Sequence, residues 1–446
     1  MKRLIDYDLW QWKNSKRRKP LLLRGARQVG KTYAVRQLGE RCEDFVEVNF
    51  ELRPDAIPIF ETNLKPERLI RDLSILLNKK IVPGKTLLFF DEIQLAPKAI
   101  ISLRYFYELM PELHVIAAGS LLDFAIESIG IPVGRVVSLY MYPMSFIEFL
   151  HALDYGLLLQ SIFVHDVHDP MPSTLHDPLV GLFGQYMAVG GMPEAVSVWR
   201  ETQDLQACGT VHRTLVDSYR QDFAKYATKF QIKYIERLFA GIPRQMSLKF
   251  KYAAIEGDYR KRDLSPCFDL LQTAGVAHRI YRTRANGVPL GSEAEYEYFK
   301  AILLDVALSQ TMLDVALGPW LLKPLETLIN KGPLVEAAVG QELLAYSSPW
   351  QKNMLYYWIR HGRGAEAEVD YVVVDEGNIV PIEVKSGSSV RLKSMRMFLN
   401  SHQDSPFGIR FWGSNYEQNS TIHSFPLYAI AGAFKRFSDV QLKILS

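Results

Sequence analysis

A loop near the N-terminus has the composition needed to hold a polyphosphate. It spans Gly25, Ala26, Arg27, Gln28, Val29, Gly30, Lys31 and Thr32. This is the Walker A pattern, and it lies between a predicted strand and a predicted helix. Glycine lets the loop curl so that backbone N–H groups face the phosphates, while the lysine adds positive charge and the threonine hydroxyl ligates Mg²⁺. The loop therefore predicts bound ATP and Mg²⁺.

An acidic pair follows a strongly apolar run further along the chain. Residues 87–90 are two leucines and two phenylalanines, and Asp91 and Glu92 come directly after them. Such a strand resembles a Walker B strand, in which Asp91 holds the metal and Glu92, one position later, polarises the attacking water. Together the two motifs predict a P-loop ATPase that hydrolyses ATP.

Two further residues lie where they can touch the nucleotide. Ser120 follows a predicted strand and can hydrogen-bond the γ-phosphate or the attacking water, although a helix cap is the alternative. Arg135 precedes another apolar strand and can stabilise transition-state charge as arginine fingers do, although an exposed arginine is the alternative. Both residues are therefore predicted catalytic groups beside Lys31 and Glu92.

Short apolar runs alternate with segments of helical period over the first third of the chain, which indicates a parallel sheet flanked by helices. We predict an α/β P-loop NTPase domain over residues 1–155. Its predicted strands are Leu21–Arg24, Phe45–Asn49, Thr86–Phe90, His114–Ala118 and Val136–Met141.

The middle of the chain changes from helices to strands. Residues 156–178, rich in Asp, His and Pro, predict an exposed connector, and residues 179–320 predict a helical and winged-helix domain. Its strands are predicted at Ala277–Thr283 and Tyr296–Leu303. Basic residues favour phosphate contact here, with a solvated helix face as the alternative; they are Lys229, Lys233, Arg237, Arg244, Lys249, Lys251, Arg260, Lys261 and Arg262.

A third α/β domain is predicted over residues 321–446, with strands at 354–359, 368–374 and 379–384. Asp370 lies on the second of these strands, and alternation places Glu383 and Lys385 on one face of the third. With Glu336 on the preceding helix, the set resembles the PD-(D/E)xK nuclease-like fold, in which acids bind Mg²⁺ and lysine stabilises charge. Solvated charges are the alternative, and the fold does not by itself establish cleavage.

Longer strings carry a family resemblance. GARQVGKT, LLFFDEIQ, AAGSLL, VGRVVSLYMYPMSFIEF and YMAVGGMPEAV resemble a widespread prokaryotic family of AAA-type ATPases. The resemblance implies a DUF4143-type region at roughly residues 210–390, a sensor role for Ser120 and a Gly-Arg motif at Arg135. The glycines at 190 and 191 are interpreted as a turn that ends a helix, with packing or hinge duty.

The bulk composition narrows the setting. A net charge of +3 and 48% hydrophobic residues are ordinary for a globular protein, so charge alone neither establishes nor excludes DNA binding. Three scattered cysteines fit a reducing cytoplasm, and no apolar run reaches membrane-spanning length. Two hypotheses stay open: an ATP-driven machine that binds or processes DNA, or an ATP-gated switch that binds DNA or a protein partner without nuclease activity. Both hypotheses are compatible with an oligomer.

Overall fold

The computed structural model describes residues 1–130, 134–360, 367–385 and 392–437, and the chain divides into two compact units. The N-terminal unit contains Arg3–Tyr142 together with Ser348–Lys352. The C-terminal unit contains Met1–Lys2, Pro143–Ser347 and Asn353–Ser446. The division after Tyr142 precedes the predicted domain end at residue 155.

The N-terminal unit alternates strands and helices. Its strands are β1 (Leu21–Arg24), β2 (Asp44–Asn49), β3 (Thr86–Asp91), β4 (His114–Ala118) and β5 (Val137–Tyr140). Its helices are α1 (Leu4–Asn14), α2 (Lys31–Gly39), α3 (Pro66–Leu77), α4 (Pro97–Leu109) and α5 (Leu122–Ile129), with 3₁₀ turns at Pro54–Phe60 and Ile93–Leu95. The predicted strands of this region are confirmed to within a residue or so at each end.

All five strands of this unit form one sheet in the order β2-β3-β4-β1-β5, and every neighbouring pair is parallel. The whole of β3 and the whole of β4 are buried. Strands buried on both faces need continuous apolar runs, and this explains why the sequence of β3 is not alternating. The predicted parallel sheet is confirmed.

The C-terminal unit begins with helices. They are α6 (Phe146–Ala152), α7 (Gly156–Ser161), α8 (Ser173–Val189), α9 (Pro193–Thr202), α10 (Leu205–Tyr226), α11 (Lys229–Gly241), α12 (Lys261–Thr273), α13 (Val306–Met312), α14 (Gly318–Leu322), α15 (Pro324–Asn330), α16 (Gly332–Ala345) and α17 (Lys393–Ser401). The 3₁₀ turns are Pro243–Gln245, Tyr252–Ala254, Leu290–Glu293, Leu427–Gly432 and Lys435–Phe437. The predicted connector over residues 156–178 is thus partly helical, since α7 lies at its start and α8 already begins at Ser173.

The strands of this unit form a single sheet. They are β6 (Ala277–Thr283), β7 (Ala294–Leu303), β8 (Leu355–Arg360), β9 (Ala367–Asp375), β10 (Asn378–Lys385), β11 (Gly408–Trp412), β12 (Glu417–Asn419) and β13 (Ile422–Pro426). Their order is β12-β13-β11-β10-β9-β8-β6-β7. The hairpin β6-β7, which was predicted as the wing of a separate domain, shares this sheet because β6 pairs with β8. Local sequence patterns do not reveal such a long-range parallel pairing.

The glycine turn after α8 is built around close backbone approaches. Gly190 has φ of +75°, and a Cβ on Gly191 would lie 2.1 Å from the carbonyl oxygen of Met144. The backbone N–H of Gly191 donates to Asp305 Oδ2 at 2.7 Å, and its carbonyl accepts from the Met144 N–H at 2.6 Å. Glycine is required here by space as much as by backbone angle.

None of the helices in the described part of the chain combines the length and the apolar character that a membrane span requires.

We expect Gly191→Ala to lower the free energy of unfolding by at least ~2 kcal/mol, because the new methyl group meets a backbone oxygen that cannot rotate away. Urea unfolding of the two proteins measures the difference. Gly181→Ala is the matched control: Gly181 lies within α8 with open space around its Cα, so alanine there should leave stability unchanged or raise it by up to ~1 kcal/mol. Equal stabilities for the Gly191 variant and the original chain would contradict this account of the turn.

Candidate functional site

The predicted phosphate loop joins β1 to α2. Two of its glycines have positive φ, +144° at Gly25 and +100° at Gly30, and α2 begins at Lys31 directly after Gly30. A Cβ on Gly25 would lie 2.2 Å from the carbonyl oxygen of Met141. The loop therefore depends on glycine for its curl and for its contact with the end of the neighbouring strand.

Lys31 lies inside this loop. Its side chain is buried, and its Nζ donates to the carbonyl oxygens of Gly25 at 2.9 Å and Ala26 at 2.7 Å. Burial lowers the pKa of Lys31 to about 8, against the opposing effect of the nearby Glu92 and Asp91 carboxylates. Because its partners are neutral carbonyls, the ammonium gains from any anion that enters the loop.

Asp91 lies at the end of β3 beside the loop. Its carboxylate accepts a hydrogen bond from Thr32 Oγ1, with distances of 3.1 Å to Oδ2 and 3.3 Å to Oδ1. Asn49 Nδ2 donates to Asp91 Oδ2 at 3.0 Å. Burial, followed by the charge of Glu92, raises the pKa of Asp91. A hydroxyl and a carboxylate side by side form the donor set that Mg²⁺ takes up with the phosphates of a nucleotide, so these residues fit the predicted metal.

Asn49 was not among the predicted site residues. It lies opposite Asp91 in the register of β2 and β3. Its Oδ1 also accepts from the backbone N–H groups of Glu51 and Leu52, both at 3.0 Å. The signal that could have found it is a polar residue at the end of a strand adjacent to the acidic one.

One carboxylate oxygen of Glu92 accepts hydrogen bonds from Gln94 and Ser120. Its Oε2 accepts from Gln94 Nε2 at 2.5 Å, from Ser120 Oγ at 3.3 Å and from the Ser120 backbone N–H at 3.4 Å. Glu92 itself has φ of +50°, which turns the chain sharply after β3. A Cβ on Gly119 would lie 1.8 Å from Gln94 Oε1. Three donors on one oxygen leave Oε1 of Glu92 for another partner, such as water.

Arg135 is not brought to this loop within one chain. It precedes β5, and its Nε donates to Glu108 Oε1 at 3.0 Å, near the end of α4. In a parallel sheet, the residue before a strand lies at the edge opposite to the residues that follow strands. Arg24, which ends β1 directly before the loop, pairs with Asp123 and has its guanidinium carbon 5.0 Å from the centre of the Tyr140 ring.

The four residues of the predicted nuclease-like site lie on neighbouring elements of the C-terminal unit. Glu336 is on α16, Asp370 is on β9, and Glu383 and Lys385 are on β10. Lys385 Nζ lies 2.6 Å from Glu383 Oε1. Asp370 Oδ2 accepts from the backbone N–H of Val384 at 2.7 Å, which ties it to β10.

A residue that was not predicted lies among these acids. Lys300, on β7, has its Nζ 3.0 Å from Glu336 Oε1, 2.5 Å from Glu368 Oε1 and 3.8 Å from Asp370 Oδ1. Its side chain is only 1% exposed. Burial alone would lower the pKa of Lys300, but the carboxylates of Glu336, Asp370 and Glu368 outweigh it and raise that pKa well above its ordinary value. The carboxylates around Lys300 therefore favour its charged form.

Comparison with known families divides the chain into three parts. Residues 17–150 match the AAA domain family, residues 181–317 match the domain of unknown function DUF8612, and residues 331–430 match the domain of unknown function DUF4143. The DUF4143 match lies further toward the C-terminus than the region expected at roughly residues 210–390. A search among curated proteins gave no match.

Solved structures include distant likenesses. A Walker-type ATPase of Pyrococcus abyssi is 15% identical, with a TM-score of 0.43 and coverage of 69% of this chain and 94% of its own. The Aeropyrum pernix ORC1 protein in complex with DNA is 15% identical, with a TM-score of 0.29 and coverage of 70% and 90%. A Pyrococcus horikoshii signal-transduction ATPase with a tetratricopeptide repeat sensor is 12% identical, with a TM-score of 0.24 and coverage of 76% and 47%. All three TM-scores are below 0.5.

The AAA domain match over residues 17–150 coincides with the parallel sheet and the phosphate loop, so the two observations support a P-loop domain of the AAA type. The chain joins this domain to a DUF4143 region. ATP binding is supported by both the family match and the loop.

We predict that Gln94 positions Glu92. Gln94→Ala should lower kcat for ATP hydrolysis by about 10-fold with KM changed by less than about 2-fold, because the loss affects the orientation of a carboxylate and not nucleotide binding. Steady-state phosphate release over a range of ATP concentrations measures both values. Gln37→Ala, at a partly exposed glutamine on α2 whose Nε2 donates to Glu40 Oε1 at 3.1 Å, is the control and should match the original chain. A raised KM with unchanged kcat would assign Gln94 to nucleotide binding instead.

Proposed function

We propose that the protein is a Mg²⁺-dependent ATPase whose nucleotide state controls its C-terminal unit. The observation that carries the proposal is the meeting of Lys31, Thr32, Asp91 and Glu92 at one edge of the N-terminal sheet. These four side chains supply a cation for the phosphates, a hydroxyl and a carboxylate for the metal, and a second carboxylate for water. The remaining loop residues, from Gly25 to Gly30, contribute backbone N–H groups.

Each side chain has one task in the proposed reaction. Lys31 would exchange its carbonyl partners for the β- and γ-phosphate oxygens. Thr32 and Asp91 would hold Mg²⁺, which would neutralise developing charge on the phosphates. Glu92 accepts a hydrogen bond from the attacking water through Oε1 while Gln94 and Ser120 hold Oε2. In this proposal Ser120 contacts the Glu92 carboxylate. The sequence had instead suggested contact with the γ-phosphate or the attacking water.

We propose that Arg135 can contact a nucleotide only when that nucleotide is bound to a neighbouring copy of the chain. Within one chain it lies at the far edge of the sheet, where Glu108 holds it. An arginine at a domain edge can serve the nucleotide of a neighbouring copy, as arginine fingers supplied in trans do. An oligomer is the arrangement that would use it, and a monomer would leave it as an exposed ion pair.

The C-terminal unit is proposed to have a PD-(D/E)xK nuclease-like fold. Support comes from a helical acid, Glu336, followed by acids on two adjacent strands, Asp370 and Glu383, with Lys385 two positions later. The strands β8, β9 and β10 are antiparallel to one another in turn. The chain then passes through α17 to β11, which pairs with β10 in parallel. This unit is the proposed place where nucleotide state is converted into binding of DNA or a protein partner.

DNA is the partner that one surface feature favours. Lys233 Nζ lies 4.8 Å from the ring centre of Phe230, and Lys249 Nζ lies 4.2 Å from that of Tyr298. Phe230 is 64% exposed, so a cation and an aromatic face are both available to a nucleic acid. Other basic residues of this region are paired: Arg237 and Arg244 contact Glu256, and Lys261 contacts Glu297. The winged-helix interpretation of α12 with β6 and β7 remains a proposal.

Two substitutions separate nucleotide binding from hydrolysis. Lys31→Ala should abolish ATP binding, because the loop loses its charge at the phosphates, whereas Glu92→Gln should keep ATP binding and lower hydrolysis at least ~100-fold. Titration calorimetry with MgATP and a phosphate-release assay measure the two effects. Phosphate release that is unchanged in both variants would defeat the ATPase proposal.

DNA binding has its own test. We expect Lys233→Gln with Lys249→Gln to weaken binding to a labelled duplex at all sequences and to lower the slope of log affinity against log salt by about one per lost phosphate contact. Fluorescence anisotropy with ADP and with a slowly hydrolysed ATP analogue gives affinity in each state. Lys323→Gln is the control, since it removes an exposed lysine that is paired with Glu326. Absence of duplex binding by the original chain in both states would favour a protein partner.

A further inference from the structure

The contacts of Lys300 raise the question of which cation the C-terminal acids hold. Oxygen ligands lie about 2.0–2.1 Å from Mg²⁺, and the ion needs near-octahedral surroundings. The Lys300 ammonium already lies within 3.0 Å of Glu336 and 3.8 Å of Asp370, the two acids expected to approach the metal from α16 and β9. A divalent ion on the same oxygens would lie against a buried positive charge.

Two carboxylate oxygens of the cluster already have partners other than Lys300. Asp370 Oδ2 already accepts from the Val384 N–H, and Glu383 Oε1 is paired with Lys385. Glu383 Oε2 is buried and has no hydrogen-bond partner among the described residues. No group of three or more His, Cys, Asp or Glu side chains that could hold a metal ion occurs in the described ranges. Mg²⁺ therefore does not fit this cluster as it fits the phosphate loop.

Lys300 is built into the interior and is not a surface side chain that has folded inward. The last part of β7, residues 299–303, is buried throughout. Lys300 Nζ also lies 5.2 Å from the ring centre of Tyr357 on β8. A buried ammonium is costly unless it is paired, and removal of either partner leaves an uncompensated charge. Three carboxylates from α16 and β9 provide that pairing.

We propose that Lys300 is the resident cation of the C-terminal carboxylate cluster, in the place where a divalent metal ion would lie. The cluster is then complete without metal, and the unit serves as a binding scaffold and not as a Mg²⁺ nuclease. The inference rests on the proposed nuclease-like fold, because it concerns the acids that such a fold would use. It selects the ATP-gated switch over DNA cleavage.

The test measures Mn²⁺ binding to the full-length, nucleotide-free chain. Titration calorimetry gives the number of Mn²⁺ sites, and thermal unfolding with and without Mn²⁺ gives the melting temperature. The original chain and Asp370→Asn should give superimposable Mn²⁺ isotherms. Lys300→Met should melt several degrees lower, and Mn²⁺ should restore its melting temperature and occupy one additional site per chain. The double variant Lys300→Met with Asp370→Asn should lose that site. Lys323→Met, which removes a lysine from an exposed ion pair, should neither gain a site nor respond to Mn²⁺.

Two results would overturn the proposal. One is an Mn²⁺ site in the original chain that Asp370→Asn removes, and the other is a folded Lys300→Met that gains no site. If Lys300→Met fails to fold, the comparison of the original chain with Asp370→Asn still decides whether the cluster of the original chain binds Mn²⁺. ATP hydrolysis measured on the same samples reports on the phosphate loop separately, so failure of the ATPase proposal and failure of this one give different results.

Discussion

The five strands of the N-terminal sheet all run in one direction, and this determines which residues can meet at a nucleotide. Residues that follow β1, β3 and β4 reach the same edge, where the phosphate loop, Asp91, Glu92 and Ser120 are found. Residues that precede a strand reach the other edge, and Arg135 is one of them. A parallel sheet thus provides the site and also places Arg135 of the same chain at the opposite edge from it.

Much of this site could be predicted because its residues are adjacent to strands that are themselves easy to recognise. The apolar run before Asp91 is long and continuous, and glycine, lysine and threonine mark the loop. Gln94 could not be predicted as readily, since its contact with Glu92 depends on a turn in which Glu92 has positive φ. Asn49 depends on the pairing of β2 with β3, which is a feature of the sheet and not of the segment.

The C-terminal unit shows the limit of local patterns more strongly. The strands β6 and β7 were recognisable as a hairpin, but their membership of the larger sheet rests on the parallel pairing of Ile280 with Leu355 across many intervening residues. A hairpin joined to a sheet by backbone hydrogen bonds cannot swing on its own as a free wing would. Any nucleotide-dependent change at α12 would therefore have to carry the sheet with it or leave the hairpin in place.

Two buried lysines show why the same residue type implies different chemistry in the two units. Lys31 is held by neutral carbonyl oxygens and its pKa is lowered to about 8, mainly by burial, so an incoming phosphate improves its surroundings. Lys300 is held by carboxylates, and its pKa is raised well above the ordinary value despite burial, so its charge is already balanced. A lysine with neutral partners is prepared for an anionic ligand, whereas a lysine with anionic partners takes the place of a cation. The contacts of each ammonium, and not its burial, therefore separate a site that is open to a ligand from one that is closed by the protein itself.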